Sequence, residues 1–170
     1  MSFDVTALPG ATFGGLLTAP IKAADLIFLA EASPTSLPLL LNEFNGFLLI
    51  KGMGVLEEKP ELFLRLSQIF GTEVESYKET RMAQQNVHPE IPEILMVSNI
   101  PPADRKPPAQ PNPPRNPDGS LPIQFPHRRG WHTDQSYRRP PPDISLFFCV
   151  VPVPKGQAQT LYANGIAAYE

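Results

Sequence analysis

Apolar residues recur at helical spacing in two stretches of the N-terminal half of the chain. Residues 35–45 place most of their large apolar side chains on one face and are followed by Gly46, a residue type that commonly ends helices. Residues 57–70 show the clearest helical pattern, with acidic residues in the first turns, where they suit the helix dipole, and Pro60 near the start, where proline is tolerated. Between these stretches, the continuous apolar run 46–51 predicts a buried strand.

Shorter apolar runs predict strands elsewhere. The glycine-punctuated residues 1–25 indicate short strands and turns, and further strands are predicted at 93–98, 130–137, 144–151 and 159–163. Asn164 is a suitable N-cap for a helix that begins at Gly165. The pattern as a whole predicts an α+β fold that is mainly β.

Composition and charge argue against several classes of function. The 170 residues carry a net charge of −3, whereas a general nucleic-acid binder usually shows a basic patch or stripe. No run of 18 or more apolar residues exists, and residues 1–10 lack the charged and apolar regions of a signal peptide. Cys149 is the only cysteine, which excludes an intrachain disulfide, and we expect a buried, inert thiol in its apolar strand. We therefore expect a soluble, cytoplasmic protein with no nucleic-acid or membrane partner.

Prolines are concentrated in residues 101–126, which hold ten of the 22 in the chain. Proline lacks the N–H group that helices and central strands need, so this stretch is a long loop, either a lid over a site or a linker. Within it, Arg105, Pro108 and Pro111 fit an Arg-x-x-Pro-x-x-Pro ligand of SH3-type domains. A binding module that acts through this segment is therefore the alternative to an enzyme.

The candidate chemistry is centred on the segment Trp131-His132-Thr133-Asp134. Side chains two apart on a strand point to the same face, so His132 and Asp134 could offer an imidazole nitrogen and a carboxylate oxygen to one metal ion. With a second histidine from elsewhere they would form the facial triad that suits non-haem iron(II). The alternative is an ordinary half-exposed strand with a polar face.

Three segments resemble the taurine dioxygenase (TauD/TfdA) family of Fe(II)- and 2-oxoglutarate-dependent dioxygenases. Residues 131–154, WHTDQSYRRPPPDISLFFCVVPVP, are similar to the metal-binding strand, proline-rich turn and following strand of the family. Residues 46–71 and residues 160–170, TLYANGIAAYE, are similar to its early strand and helix and to the segment after its Gly-Gly-Asp-Thr turn. The resemblance implies an incomplete double-stranded β-helix (jelly roll) with flanking N-terminal helices, in a single, C-terminally truncated domain spanning 1–170. It also implies hydroxylation of a small organic substrate with O2, Fe(II) and 2-oxoglutarate.

By this resemblance, His132 and Asp134 match the first two iron ligands, and Thr160 matches the threonine that hydrogen-bonds a carboxylate of 2-oxoglutarate. Trp131 is expected to pack beside the metal or simply in the core. The family's turn is replaced here by the longer 156–160, GQAQT, and its distal histidine and 2-oxoglutarate arginine match no residue. A catalytically incompetent fragment or degenerate member therefore stays open. His88 and His127 are expected to be loop histidines rather than the third ligand.

Overall fold

The computed structural model describes residues 3–18, 23–78, 87–97, 116–119, 131–134, 140–152, 154 and 160–170. The chain divides into two compact units. One comprises Met1–Val97 together with Asn164–Glu170, and the other comprises Ser98–Ala163. The expectation that 1–170 is a single domain stays a prediction.

A three-stranded sheet lies in the N-terminal unit. Strands β1 (Val5–Ala7), β2 (Gly15–Thr18) and β3 (Leu48–Lys51) lie side by side in that order. β1 pairs antiparallel with β2, and β2 pairs parallel with β3, with Leu17 opposite Ile50. A parallel pair needs a long crossover, and the chain between β2 and β3 supplies one that contains two helices. The predicted N-terminal strands are confirmed, and a strand does form within 46–51. The expectation that this strand is buried is wrong, because none of its four residues is buried and Leu49 is 39% exposed.

Five helices complete the described secondary structure: α1 (Ala23–Ala32), α2 (Ser36–Glu43), α3 (Val55–Glu58), α4 (Glu61–Phe70) and α5 (Gly165–Tyr169). The helix predicted at 35–45 is α2, which ends at Glu43 with Phe44 as its C-cap. Gly46 closes the turn that follows, since its φ of +80° suits glycine and its N–H donates to the Leu41 carbonyl. The helix predicted at 165–170 is α5, and the Asn164 side chain caps it by accepting from the Ile166 and Ala167 amides.

The prediction of a single helix at 57–70 is wrong, because two helices, α3 and α4, cover this stretch. The break falls at Lys59, which adopts φ −132° and ψ 70°. A residue before proline is driven out of the helical region by the proline ring, and Pro60 has no N–H to continue the helix. Pro60 then serves as the N-cap of α4, consistent with the predicted place of proline near a helix start.

The core of the N-terminal unit lies mainly among its helices, with Leu17 as the buried apolar side chain of the sheet. Helix α4 buries one residue per turn, and α1 and α2 pack against it. The buried apolar side chains are Leu17, Leu26, Ile27, Ala30, Leu37, Met53, Leu56, Leu62, Leu66 and Ile69. Across the surface of this packing, the Arg65 guanidinium on α4 makes a bidentate pair with the Glu31 carboxylate on α1, with N–O distances of 2.7 and 2.5 Å.

Three of the predicted strands do not form in the described residues. Residues 93–97 contribute only an isolated antiparallel bridge between Val87 and Leu95, while residues 144–151 and 160–163 form neither strand nor helix. A strand exists only with a partner to share its hydrogen bonds, and apart from the single bridge at Leu95 none pairs with these segments within the described part of the chain. The fold is α+β as predicted, but the described residues are richer in helix than in strand and do not show the jelly roll that the resemblance implied.

No helix in the described ranges combines the length and the apolar character that crossing a membrane requires. The longest, α1 and α4, have 10 residues each, about half of what a bilayer needs.

Candidate functional site

The structure places the side chains of His132 and Asp134 next to each other. The His132 Nε2 atom lies 3.2 Å from the Asp134 Oδ1 atom, and the two side chains are 57% and 49% exposed. Among the described residues 131–134, Trp131 lies in a bend and Asp134 in a turn, and none lies in a strand. The strand geometry that the prediction invoked is therefore not what places the two donor atoms.

The separation of these two atoms fits a shared metal ion. Ligands about 2.1 Å from a first-row metal and at right angles to each other are about 3.0 Å apart. The observed 3.2 Å corresponds to an angle of roughly 100° at such a metal, close to that of two adjacent ligands. One imidazole nitrogen and one carboxylate oxygen are also the donor types that non-haem iron uses. The same separation is that of a direct hydrogen bond or ion pair between imidazole and carboxylate, so the distance is compatible with a shared metal ion and the ligand role stays a prediction.

A third protein ligand is not found among the described residues, where no cluster of three His, Cys, Asp or Glu side chains could hold a metal ion. His88 does not supply it, because its Nδ1 atom accepts hydrogen bonds from the Glu90 and Ile91 amides. The ring proton then lies on Nε2, so Nε2 has no lone pair for a metal ion while Nδ1 is occupied by the two amides. A metal-bound histidine instead binds through one nitrogen and donates the N–H of the other. His88 lies in a loop as predicted, and His127 lies outside the described residues.

Tyr162 is a neighbour of the candidate site that sequence reasoning missed. Burial raises the pKa of its phenol above the ordinary value of 10.0, and the negative charge of Asp134 raises this pKa further. The phenol therefore stays protonated at neutral pH and adds no second negative charge beside Asp134. Its position two residues after Thr160 was the available signal, because side chains two apart on extended backbone share a face.

The other predicted site residues are exposed. Thr160 lies on the surface, in the same compact unit as His132 and Asp134. Trp131 is 69% exposed, so simple core packing does not describe it. Its large apolar surface lies next to His132 in sequence and is open to a ligand or to another part of the protein.

The expectation of a buried Cys149 is wrong, because this free thiol is exposed. Its segment, 144–151, does not join a sheet whose inner face would cover the side chain, and Phe147, Val150 and Val151 are exposed along with it. The apolar run therefore does not by itself bury the residues it contains.

Most of the proline-rich stretch 101–126 lies outside the described residues, and so do Arg105, Pro108 and Pro111. Residues 116–119 are described, and they form a turn in which the Gly119 amide donates to the Asn116 carbonyl at 2.8 Å. The lid and the SH3-type ligand stay predictions.

Comparison with known proteins gives one match. Residues 8–170 match the family model described as "Taurine catabolism dioxygenase TauD, TfdA family". No curated protein and no solved structure matches the chain significantly. The match covers nearly the whole chain, including the His132–Asp134 pair and Thr160, and this family is a group of Fe(II)- and 2-oxoglutarate-dependent dioxygenases. The chain therefore belongs to the TauD/TfdA family.

Proposed function

We propose that this protein is an Fe(II)- and 2-oxoglutarate-dependent dioxygenase that hydroxylates a small organic substrate with O2. The observation that carries the proposal is the 3.2 Å approach of His132 Nε2 to Asp134 Oδ1 in a member of this dioxygenase family. The third iron ligand and the arginine for 2-oxoglutarate are not assigned to residues of this chain.

His132 and Asp134 would hold the iron through Nε2 and Oδ1. When bound there, the metal would supply the oxidative chemistry with 2-oxoglutarate and O2 that is typical of this family. His132 must be neutral at Nε2 to act as a ligand, and its other nitrogen is then the donor that fixes the ring. Asp134 contributes one negative charge, which offsets part of the charge of the metal.

Three further residues would shape the surroundings of the metal. The Thr160 hydroxyl would donate a hydrogen bond to a carboxylate of 2-oxoglutarate, which orients the co-substrate. Trp131 offers exposed apolar surface that can exclude water once ligands are bound. The negative charge of Asp134 acts on the Tyr162 phenol, so this phenol would add an uncharged hydrogen-bond donor to the surroundings of the metal.

The test uses the protein as its source cell makes it, with the intact mass recorded first so that any sequence beyond Glu170 is included. Succinate formed from 2-oxoglutarate is measured with and without Fe(II), in parallel with bound iron per protein chain. We expect iron-dependent succinate formation in the natural protein. His132→Ala and Asp134→Ala should abolish succinate formation and lower the bound iron.

Two matched variants control for the loss of any histidine or any acid near this segment. His127→Ala removes the next histidine upstream, and Asp143→Asn removes a nearby exposed carboxylate. Both should retain activity and bound iron. Succinate formation that survives His132→Ala and Asp134→Ala would refute the proposal.

A further inference from the structure

A compact turn in the N-terminal unit is organised by one histidine side chain. The Nδ1 atom of His88 accepts hydrogen bonds from the amide of Glu90 at 3.3 Å and from the amide of Ile91 at 3.2 Å. The His88 amide donates to the Ile94 carbonyl at 2.9 Å, and the Ile94 amide donates to the Ile91 carbonyl at 3.0 Å. An antiparallel bridge between Val87 and Leu95 closes the turn.

The turn is also tied to the segment that follows helix α4. The Tyr77 amide donates to the Pro92 carbonyl at 2.8 Å. Pro89 directly follows His88, and a residue before proline is restricted to extended backbone, which holds the imidazole over the start of the turn. The side chain of His88 is half-buried there, within reach of both amides.

This geometry works for only one protonation state of His88. An imidazole nitrogen accepts a hydrogen bond only while it carries no proton, so the ring must be neutral with its proton on Nε2. When the ring is protonated, both nitrogens are donors, and Nδ1–H then points at two N–H groups. Protonation therefore removes two hydrogen bonds and replaces them with a repulsive contact.

We propose that the turn spanning Val87 to Leu95 is a pH-sensitive element, closed while His88 is neutral and opened by protonation of His88. Opening frees the Glu90 and Ile91 amides and loosens the Tyr77–Pro92 contact to the preceding segment. The direction of the pH dependence follows from the acceptor role of Nδ1. The closed turn holds one proton fewer than the open turn, so the closed turn is lost as the pH falls.

Other titratable groups lie on the two segments that pack together here. Glu90 and Glu93 lie on the turn itself, and Glu75, Tyr77 and Lys78 lie on the segment joined to it through Tyr77. Imidazole is the side chain on these segments whose charge ordinarily changes between about pH 5.5 and 8. A change in the turn within that window therefore reports on histidine.

The experiment is NMR on the full chain between pH 8 and pH 5.5. The nitrogen chemical shifts of the His88 ring should show an unprotonated Nδ1 at pH 8. Amide exchange is recorded as protection relative to the unstructured rate, which removes the intrinsic pH dependence of exchange. Protection at Glu90 and Ile91 should fall on the order of tenfold as His88 becomes protonated, as expected for the loss of two hydrogen bonds.

Two variants test whether the accepting atom at the Nδ1 position, rather than the imidazole ring as a whole, closes the turn. In His88→Asn, the side-chain oxygen takes the place of Nδ1, accepts from the same amides and does not titrate, so protection should persist across the pH range. In His88→Ala, protection at both amides should be low at every pH. A proton on Nδ1 at pH 8, protection in the natural chain that is constant across the range, or a pH dependence that remains in His88→Asn would each overturn the proposal.

Discussion

Replacing Asp134 by asparagine tests the candidate iron site with the smallest change in shape. The variant keeps an oxygen near the Oδ1 position, 3.2 Å from His132 Nε2, but removes one negative charge. For a divalent ion about 2.1 Å from that oxygen, Coulomb's law with a dielectric constant of about 80 gives an attraction of about 4 kcal/mol between the ion and the negative charge of the carboxylate. The dielectric constant of water is the appropriate choice because both side chains are about half exposed.

A loss of about 4 kcal/mol corresponds to nearly three powers of ten in Kd. The amide oxygen of asparagine still offers a weaker dipole to the metal, so we expect Fe(II) affinity to fall on the order of a hundredfold. The assay is anaerobic equilibrium dialysis with Fe(II), with Asp143→Asn as the control that should bind like the natural protein. Equal Fe(II) affinity in Asp134→Asn and the natural protein would refute the assignment of Asp134 as a ligand.

The same variant has a second readout at Tyr162. Asp134→Asn removes the smaller of the two causes that raise the pKa of the Tyr162 phenol and leaves the larger cause, burial, in place. The pKa should therefore fall toward 10.0 without reaching it. Ultraviolet titration of tyrosinate measures this in the absence of metal, and an unchanged titration curve would show that Asp134 does not act on this phenol.

Three predictions concern stability. Leu66→Ala should lower the free energy of unfolding by about 2–5 kcal/mol, because Leu66 is 4% exposed in the centre of α4; a urea-unfolding loss below about 0.5 kcal/mol would contradict this packing. Gly46→Ala should lower the free energy of unfolding by about 1 kcal/mol, because Gly46 has a φ of +80° that alanine disfavours. Gly54→Ala is the control and should lower this free energy by less, because Gly54 has no positive φ and its surroundings are equally open. The hydrogen bond from Arg65 lowers the pKa of the Glu31 carboxyl below its ordinary value of 4.5. The pair therefore stabilises the fold fully at pH values above 4.5, and this stabilisation is lost as the pH falls through the lowered pKa. Tm measured between about pH 6 and 3 should therefore fall more steeply in the natural chain than in Glu31→Gln, and parallel curves would show that the pair contributes nothing.

Helix α4 illustrates how far the pattern of apolar residues reaches. Leu62, Leu66 and Ile69 are buried at the spacing that predicted them, because an amphipathic helix has one apolar face and buries it. Helix α1 was not predicted, since its leucines and isoleucine are adjacent in sequence and distributed around the helix rather than along one face. Only its packing against α4 shows that Leu26, Ile27 and Ala30 face inward while Phe28 is exposed.

The sequence by itself determined the α+β class, the His-x-Asp motif with its family, the glycine turn after α2 and the cap at Asn164. The turn and the cap depend on residues within a few positions of one another, where backbone dihedral preferences and side-chain spacing decide the outcome. Tertiary structure decided which apolar runs are covered. The run 144–151 has the composition of a buried strand, yet Cys149 is exposed, because a strand needs partners and a covering layer from elsewhere in the chain. It also decided that His132 and Asp134 approach each other outside any strand, since the approach of two side chains depends on backbone conformation and not on spacing alone.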